Sequence, residues 1–215
     1  FIQSSSFTNT LGNSSAANAG SVTWMRDFDG HLADALANGG AAGGVVSAAN
    51  SLVGSVAGSQ VGSGGVAALA NDKVLIKSPN WSGLNGDTVA RTNAGAVTWM
   101  DGATGQLSDN SYFGIVSGTN SLIGSTAQDQ VGGGYQLIHI NHGTGNVLVR
   151  STQWDNGSVV DAGAVTWMDA TNGRLSDNST GGVITSTNSL VSDIAATYFG
   201  EFDPVELNNG PVGVG

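Results

Sequence analysis

The residues of this chain best equipped for chemistry are aspartates that recur in register. Asp27, Asp29, Asp101 and Asp169 closely follow a Trp-Met pair, and Asp109 and Asp177 stand in the word Leu-Ser-Asp-Asn. Carboxylate oxygens among glycine and asparagine are what calcium sites are made of, yet the same residues cap turns by accepting hydrogen bonds from their own backbone. The pattern therefore leaves turn caps and a calcium site at Asp27, Asp29, Asp101 and Asp169 both open, with turn caps preferred. Trp81 and Trp154 each follow a strand into a loop expected to be a packing element, with sugar stacking by the indole as the lesser alternative, whereas Trp24, Trp99 and Trp167 fall inside strands and are expected in the core.

Other chemistries find no foothold. His31, His139 and His142 occupy non-equivalent positions, and His139 and His142 lie three apart at an expected hairpin, which points them to opposite faces and away from a shared zinc ion. No Gly-x-Ser-x-Gly elbow is accompanied by a plausible acid and base. The glycine runs at Gly62 to Gly65 and Gly132 to Gly134 lack the Lys-Ser/Thr that completes a phosphate cradle. The expectation is a protein that is not an enzyme and needs no cofactor, with calcium alone left open.

The elements that must position these residues are read from repetition. Ala19-Gly20-Ser21-Val22-Thr23-Trp24-Met25 returns at Ala94 to Met100 and at Ala162 to Met168, and Asn50-Ser51-Leu52 returns at Asn120 to Leu122 and Asn188 to Leu190. The period is about 70 residues and tolerates insertions in its loops. Each period holds four short apolar runs bounded by turn residues, which predicts four strands. In the middle copy these are Gly65 to Leu69, Lys73 to Ser78, Ala96 to Trp99 and Ser121 to Gly124, with Ala70-Asn71-Asp72 as a hairpin turn. Runs such as Val74-Leu75-Ile76 fit strands covered on both faces. The expected core is Val22, Trp24, Val74, Ile76, Val97, Trp99, Val147, Val149, Val165 and Trp167. The units fall at 1–60 (strands two to four), 61–130, 131–197, and 198–215 as the start of another.

Composition agrees. With 34 glycines and only 10% charged residues, tight turns between short strands are favoured over helix. Sixteen acidic residues against 6 basic give a net charge of −10, which argues against nucleic acid or an anionic membrane as partner. No apolar run approaches the roughly 20 residues of a membrane-spanning helix, and there is no cysteine for disulfides or thiolate metal sites. The opening Phe1-Ile2-Gln3, in mid-pattern, predicts a processed or partial polypeptide.

Val61-Gly62-Ser63-Gly64-Gly65, then a strand, a turn, Val74 to Pro79 and Gly95-Ala96-Val97-Thr98-Trp99, resembles the FG-GAP repeat of integrin-type β-propellers. The chain is also similar to tryptophan- and glycine-rich repeats of very large haemagglutinin- or adhesin-like bacterial surface proteins. The resemblance implies four-stranded antiparallel blades and an extracellular or cell-surface location. It departs from the family where an aspartate-rich calcium loop should join the first two strands, since Asn71-Asp72 stands there. A β-solenoid is the alternative, disfavoured because its coils are shorter than this period.

The expected fold is all-β, and the expected function is structural or adhesive, with copies of the chain joined head to tail into a fibre or surface array. The residues expected to mediate assembly are Phe1 and Ile2 at one end and Phe202, Val205, Leu207, Val212 and Val214 at the other, because incomplete sheets leave backbone groups unpaired. The alternative is a lectin-like module holding surface glycans or calcium through Trp81, Trp154 and the Asp/Asn turns.

Overall fold

In a computed structural model, residues 1–11, 14–32, 43–83, 91–133, 137–140 and 146–201 are described, and they form strands and turns with no helix among them. The first unit carries β1 (Ile2–Ser4), β2 (Asn9–Leu11), β3 (Ser14–Ala16), β4 (Ser21–Thr23) and β5 (Leu52–Val53). The second carries β6 (Gly65–Ala68), β7 (Lys73–Ser78), β8 (Ala96–Asp101), β9 (Gly114–Ile115) and β10 (Leu122–Ile123). The third carries β11 (Leu137–Ile140), β12 (Asn146–Ser151), β13 (Ala164–Met168), β14 (Gly182–Val183) and β15 (Leu190–Val191).

In the middle unit β6, β7, β8 and β10 pair antiparallel in that order, matching the four strands expected from the apolar runs. The β6–β7 hairpin turns through Asn71 and Asp72, with φ of 55° and 59°, the left-handed pair that a two-residue turn between right-twisted strands requires. Asparagine and aspartate tolerate that region better than most residues. Val74, Leu75 and Ile76 are all buried, as expected of a strand covered on both faces. Antiparallel pairing within each unit removes the solenoid alternative.

One feature departs from the expectation. Each sheet of the first two units is extended by a two-residue strand from the unit that follows: β9 lies parallel to β5, and β14 parallel to β10. These link strands have no apolar run to announce them, so the sequence reading placed no strand there.

The core also lies between units more than within them. One apolar cluster unites Val22, Trp24 and Leu52 of the first unit with Val74, Ile76, Met100 and Ile123 of the second. The other unites Leu75, Val97, Trp99 and Leu122 of the second with Val147, Val149, Met168 and Ile184 of the third. A single thin sheet cannot bury both faces alone, so stacking completes it. Eight of the ten expected core residues are buried. Val165 and Trp167 are the exceptions, half-buried because nothing described covers the face of the third unit on which they sit.

The word Ala-Gly has a steric reason. Gly20, Gly95 and Gly163 have φ of 78°, 78° and 80°, and a Cβ on them would strike the backbone of Val61, Val131 and Phe199. There the chain leaving each unit crosses its third strand, with Val61 N–H donating to the Ala19 carbonyl at 2.9 Å and Val131 N–H to that of Ala94 at 3.1 Å. Of the residues expected to mediate assembly, Phe1 and Ile2 are 45% and 55% exposed. Phe202, Val205, Leu207, Val212 and Val214 lie outside the described residues.

Candidate functional site

The repeated words meet in a polar chain that is buried in the middle unit and partly exposed in the other two. Thr23, Thr98 and Thr166, at the centre of Val-Thr-Trp, each share a 2.7 Å hydrogen bond with Ser51, Ser121 and Ser189 of the Asn-Ser-Leu word. Those serines donate on to the side-chain oxygens of Asn50, Asn120 and Asn188. The asparagine amides in turn donate to the carbonyls of Val45, Ile115 and Val183, at 3.0 Å in every unit. A threonine on the third strand thus fixes, through two side chains, the segment that reaches into the preceding unit. In the middle unit, where Thr98, Ser121 and Asn120 are all buried, such a hydrogen-bonded network favours one arrangement over its alternatives.

The joint between units has two parts. The indole N–H of Trp24 donates to the Gly102 carbonyl, and that of Trp99 to the Ala170 carbonyl, both at 2.8 Å. A Cβ on Gly173 would run into the Trp99 ring, so this turn needs glycine to approach it. Beside the indole, Gly114 and Val116 donate backbone N–H groups to the Ser51 and Val53 carbonyls at 3.1 and 3.0 Å. Gly182 and Ile184 repeat this on Ser121 and Ile123 at 2.9 and 3.1 Å. In the indole bond and the link strand the two joints use equivalent atoms.

Among the described residues, the outer faces of the first and third units each present groups equivalent to one half of a joint. On the third unit, Leu148, Val165, Trp167, Leu190, Tyr198 and Phe199 line an open, largely apolar groove of about 800 Å³. Leu190 is 70% exposed, whereas its counterparts Leu52 and Leu122 are at most 1% exposed. On the first unit Val45 is 87% exposed, although Asn50 holds it in the manner in which Asn120 and Asn188 hold the working link strands.

The remaining candidate residues are placed as follows. Asp101 pairs with Lys73 at 3.0 Å and accepts from the Ala103 N–H. Asp169 accepts from the backbone and hydroxyl of Thr171 and from Asn172. Asp29 accepts from both Arg26 and the His31 N–H. Asp27 supplies the position equivalent to Gly102 and Ala170, next to which no carboxylate cluster forms. Asp109 and Asp177 cap their turns through Ser111 and Ser179, and the hydroxyl and N–H of Ser179 hold the Asp177 carboxyl below its usual range. Asp29, Asp101, Asp109, Asp169 and Asp177 thus accept from the backbone of their own turns, and no three metal-ligating side chains converge among the described residues. Trp81 and Trp154 are 2% and 3% exposed and built into the two apolar clusters, as expected of a loop that packs onto the sheet after the second strand.

Sequence reasoning passed over Asp129. It is fully buried where the chain passes from the second unit to the third, and its carboxylate accepts from the backbone N–H groups of Ser125, Thr126 and Asp155 and from the Thr126 hydroxyl at 2.6 Å. Burial pushes its carboxyl up, against the pull of those hydrogen bonds. The first two units meet instead through Ser59, whose hydroxyl donates to the Ser82 carbonyl at 2.8 Å.

A repeat of unknown function, DUF5650, matches the chain three times, over residues 10–63, 68–133 and 142–201. No curated protein and no solved structure matches it. The three matches follow the three units and take in the Trp, Thr and Asn-Ser words that build the joints, and the chain belongs to the DUF5650 repeat family.

Proposed function

We propose that this protein is a non-enzymatic structural repeat that joins end to end with further copies of itself, forming an adhesive fibre or array on the surface of a bacterial cell. The observation that carries the proposal is the position of the core: each apolar cluster lies between two units, so a unit is stable only when stacked, and an uncovered end favours another unit. The antiparallel four-stranded unit supports the blade reading suggested by the FG-GAP resemblance. The surface location and adhesive role rest on the resemblance to bacterial surface repeats.

Sedimentation velocity of the purified chain over a wide concentration range, with electron microscopy of the same samples, tests this. Species that lengthen with concentration are expected, as a contact between two different surfaces adds copies until it closes or continues as a fibre. A chain that stays monomeric at the highest concentration would overturn it.

A further inference from the structure

The atoms that make one copy join the next follow from the two internal joints. We infer that the first unit of a second copy docks on the open groove of the third unit by adding Gly44–Val45 as a parallel strand beside Leu190–Val191. This inference rests on the self-assembly proposed above and specifies its interface.

Internal register fixes the alignment. Leu122 faces Gly182 and Ile123 faces Val183 in one joint, while Leu52 faces Gly114 and Val53 faces Ile115 in the other. The equivalent pairing sets Leu190 opposite Gly44 and Val191 opposite Val45 of the incoming copy. The Ser189 and Val191 carbonyls would accept the N–H groups of Gly44 and Val46, as Ser121 and Ile123 accept those of Gly182 and Ile184. The Trp167 indole N–H would donate to the Asp27 carbonyl, which stands where Gly102 and Ala170 stand in the internal joints.

Three observations make this occupant specific. First, the interface continues one already present twice in the chain, atom for atom. Second, the incoming strand is set in advance: Gly44 has φ of 150°, in the same glycine-favouring region as Gly114 and Gly182 at 128° and 129°. Asn50 holds the Val45 carbonyl at 3.0 Å before any partner arrives, which lowers the ordering cost of binding. Third, the two faces are complementary in kind. The groove exposes Leu190 and the half-buried Val165 and Trp167, and the first unit exposes Ile2 and Val45, with Met25 and Val46 half-buried, although the residues equivalent to Ile2, Met25 and Val46, namely Ile76, Met100 and Val116, are at most 1% exposed within the array.

The absence of native cysteine permits a direct test. Val45→Cys chains are mixed with Val191→Cys chains under mild oxidation, and Val45→Cys with Ile194→Cys serves as an out-of-register control at another exposed position. A disulfide-linked dimer from the first mixture and none from the second is expected. In the uncross-linked protein, Trp167→Ala should weaken association by about tenfold or more, the loss typical of a central aromatic anchor, with the fold unchanged by circular dichroism. Association that proceeds without the Val45–Val191 cross-link, or that ignores Trp167→Ala, overturns this interface and leaves the self-assembly reading standing. A chain that neither cross-links nor associates overturns both.

Discussion

The middle and third units share their words almost letter for letter and differ in what lies beyond them. Leu122 and Leu190 both end an Asn-Ser-Leu word, yet the first is fully buried and the second 70% exposed. Trp99 is buried with its indole N–H on the Ala170 carbonyl, while Trp167, in the same Val-Thr-Trp word, is half-buried on the groove. Burial here is a property of the joint and not of the residue, and identical side chains contribute to stability only where a neighbouring unit completes their surroundings.

Substitution at paired positions sharpens this contrast. Trp99→Ala empties the centre of a joint and should cost about 3 to 5 kcal/mol in urea unfolding, whereas Trp167→Ala in dilute, unassociated protein should cost markedly less. Equal losses at the two sites would break the comparison. Ser121→Ala leaves the Thr98 hydroxyl buried without its partner and should cost about 1 to 3 kcal/mol. Ser189→Ala, nearer solvent, should cost less by the same measurement.

The second joint should respond to acid in a way the first does not. The Asp129 carboxyl is raised by burial, so the folded chain holds its proton more tightly than the unfolded chain does. Its contribution is fully present below the ordinary carboxylate value of about 3.9 and is lost as pH rises through the raised folded value. The Tm of the parent chain should therefore gain on that of Asp129→Asn as pH falls from neutral, and parallel Tm profiles would refute this. The smallest effect belongs to Leu190→Ser, which should change the stability of the dilute chain by no more than about 0.5 kcal/mol. Leu122→Ser should unfold a far larger share of the population at the same urea concentration.

Much of the unit was legible because strand signals are local. The run Val74-Leu75-Ile76, the Asn71-Asp72 turn and the Val-Thr-Trp word each declare themselves within a few residues. The link strands did not, since Gly114–Ile115 and Gly182–Val183 are two residues long and owe their existence to a partner in another unit. The polar chain left a signal that could have been used. Threonine and serine recur at separations of 28, 23 and 23 residues, nearly constant across loops that otherwise vary. Trp24 and Trp99 lie inside as expected and Trp167 only half so, because nothing in the spacing of the words reveals that the inside is shared with a neighbour. Trp81 and Trp154 were legible as packing residues because a large apolar ring directly after a strand has the sheet beside it to cover.

The indole bond at each joint ends on a main-chain carbonyl, at Gly102 in one case and Ala170 in the other. A carbonyl is the same atom whatever residue bears it, so this half of the joint places no demand on the identity of the side chain that accepts it. Mutation can drift at that position without uncoupling the parts. In-frame duplication or loss of one period would then leave the indole of each remaining joint with a carbonyl to meet.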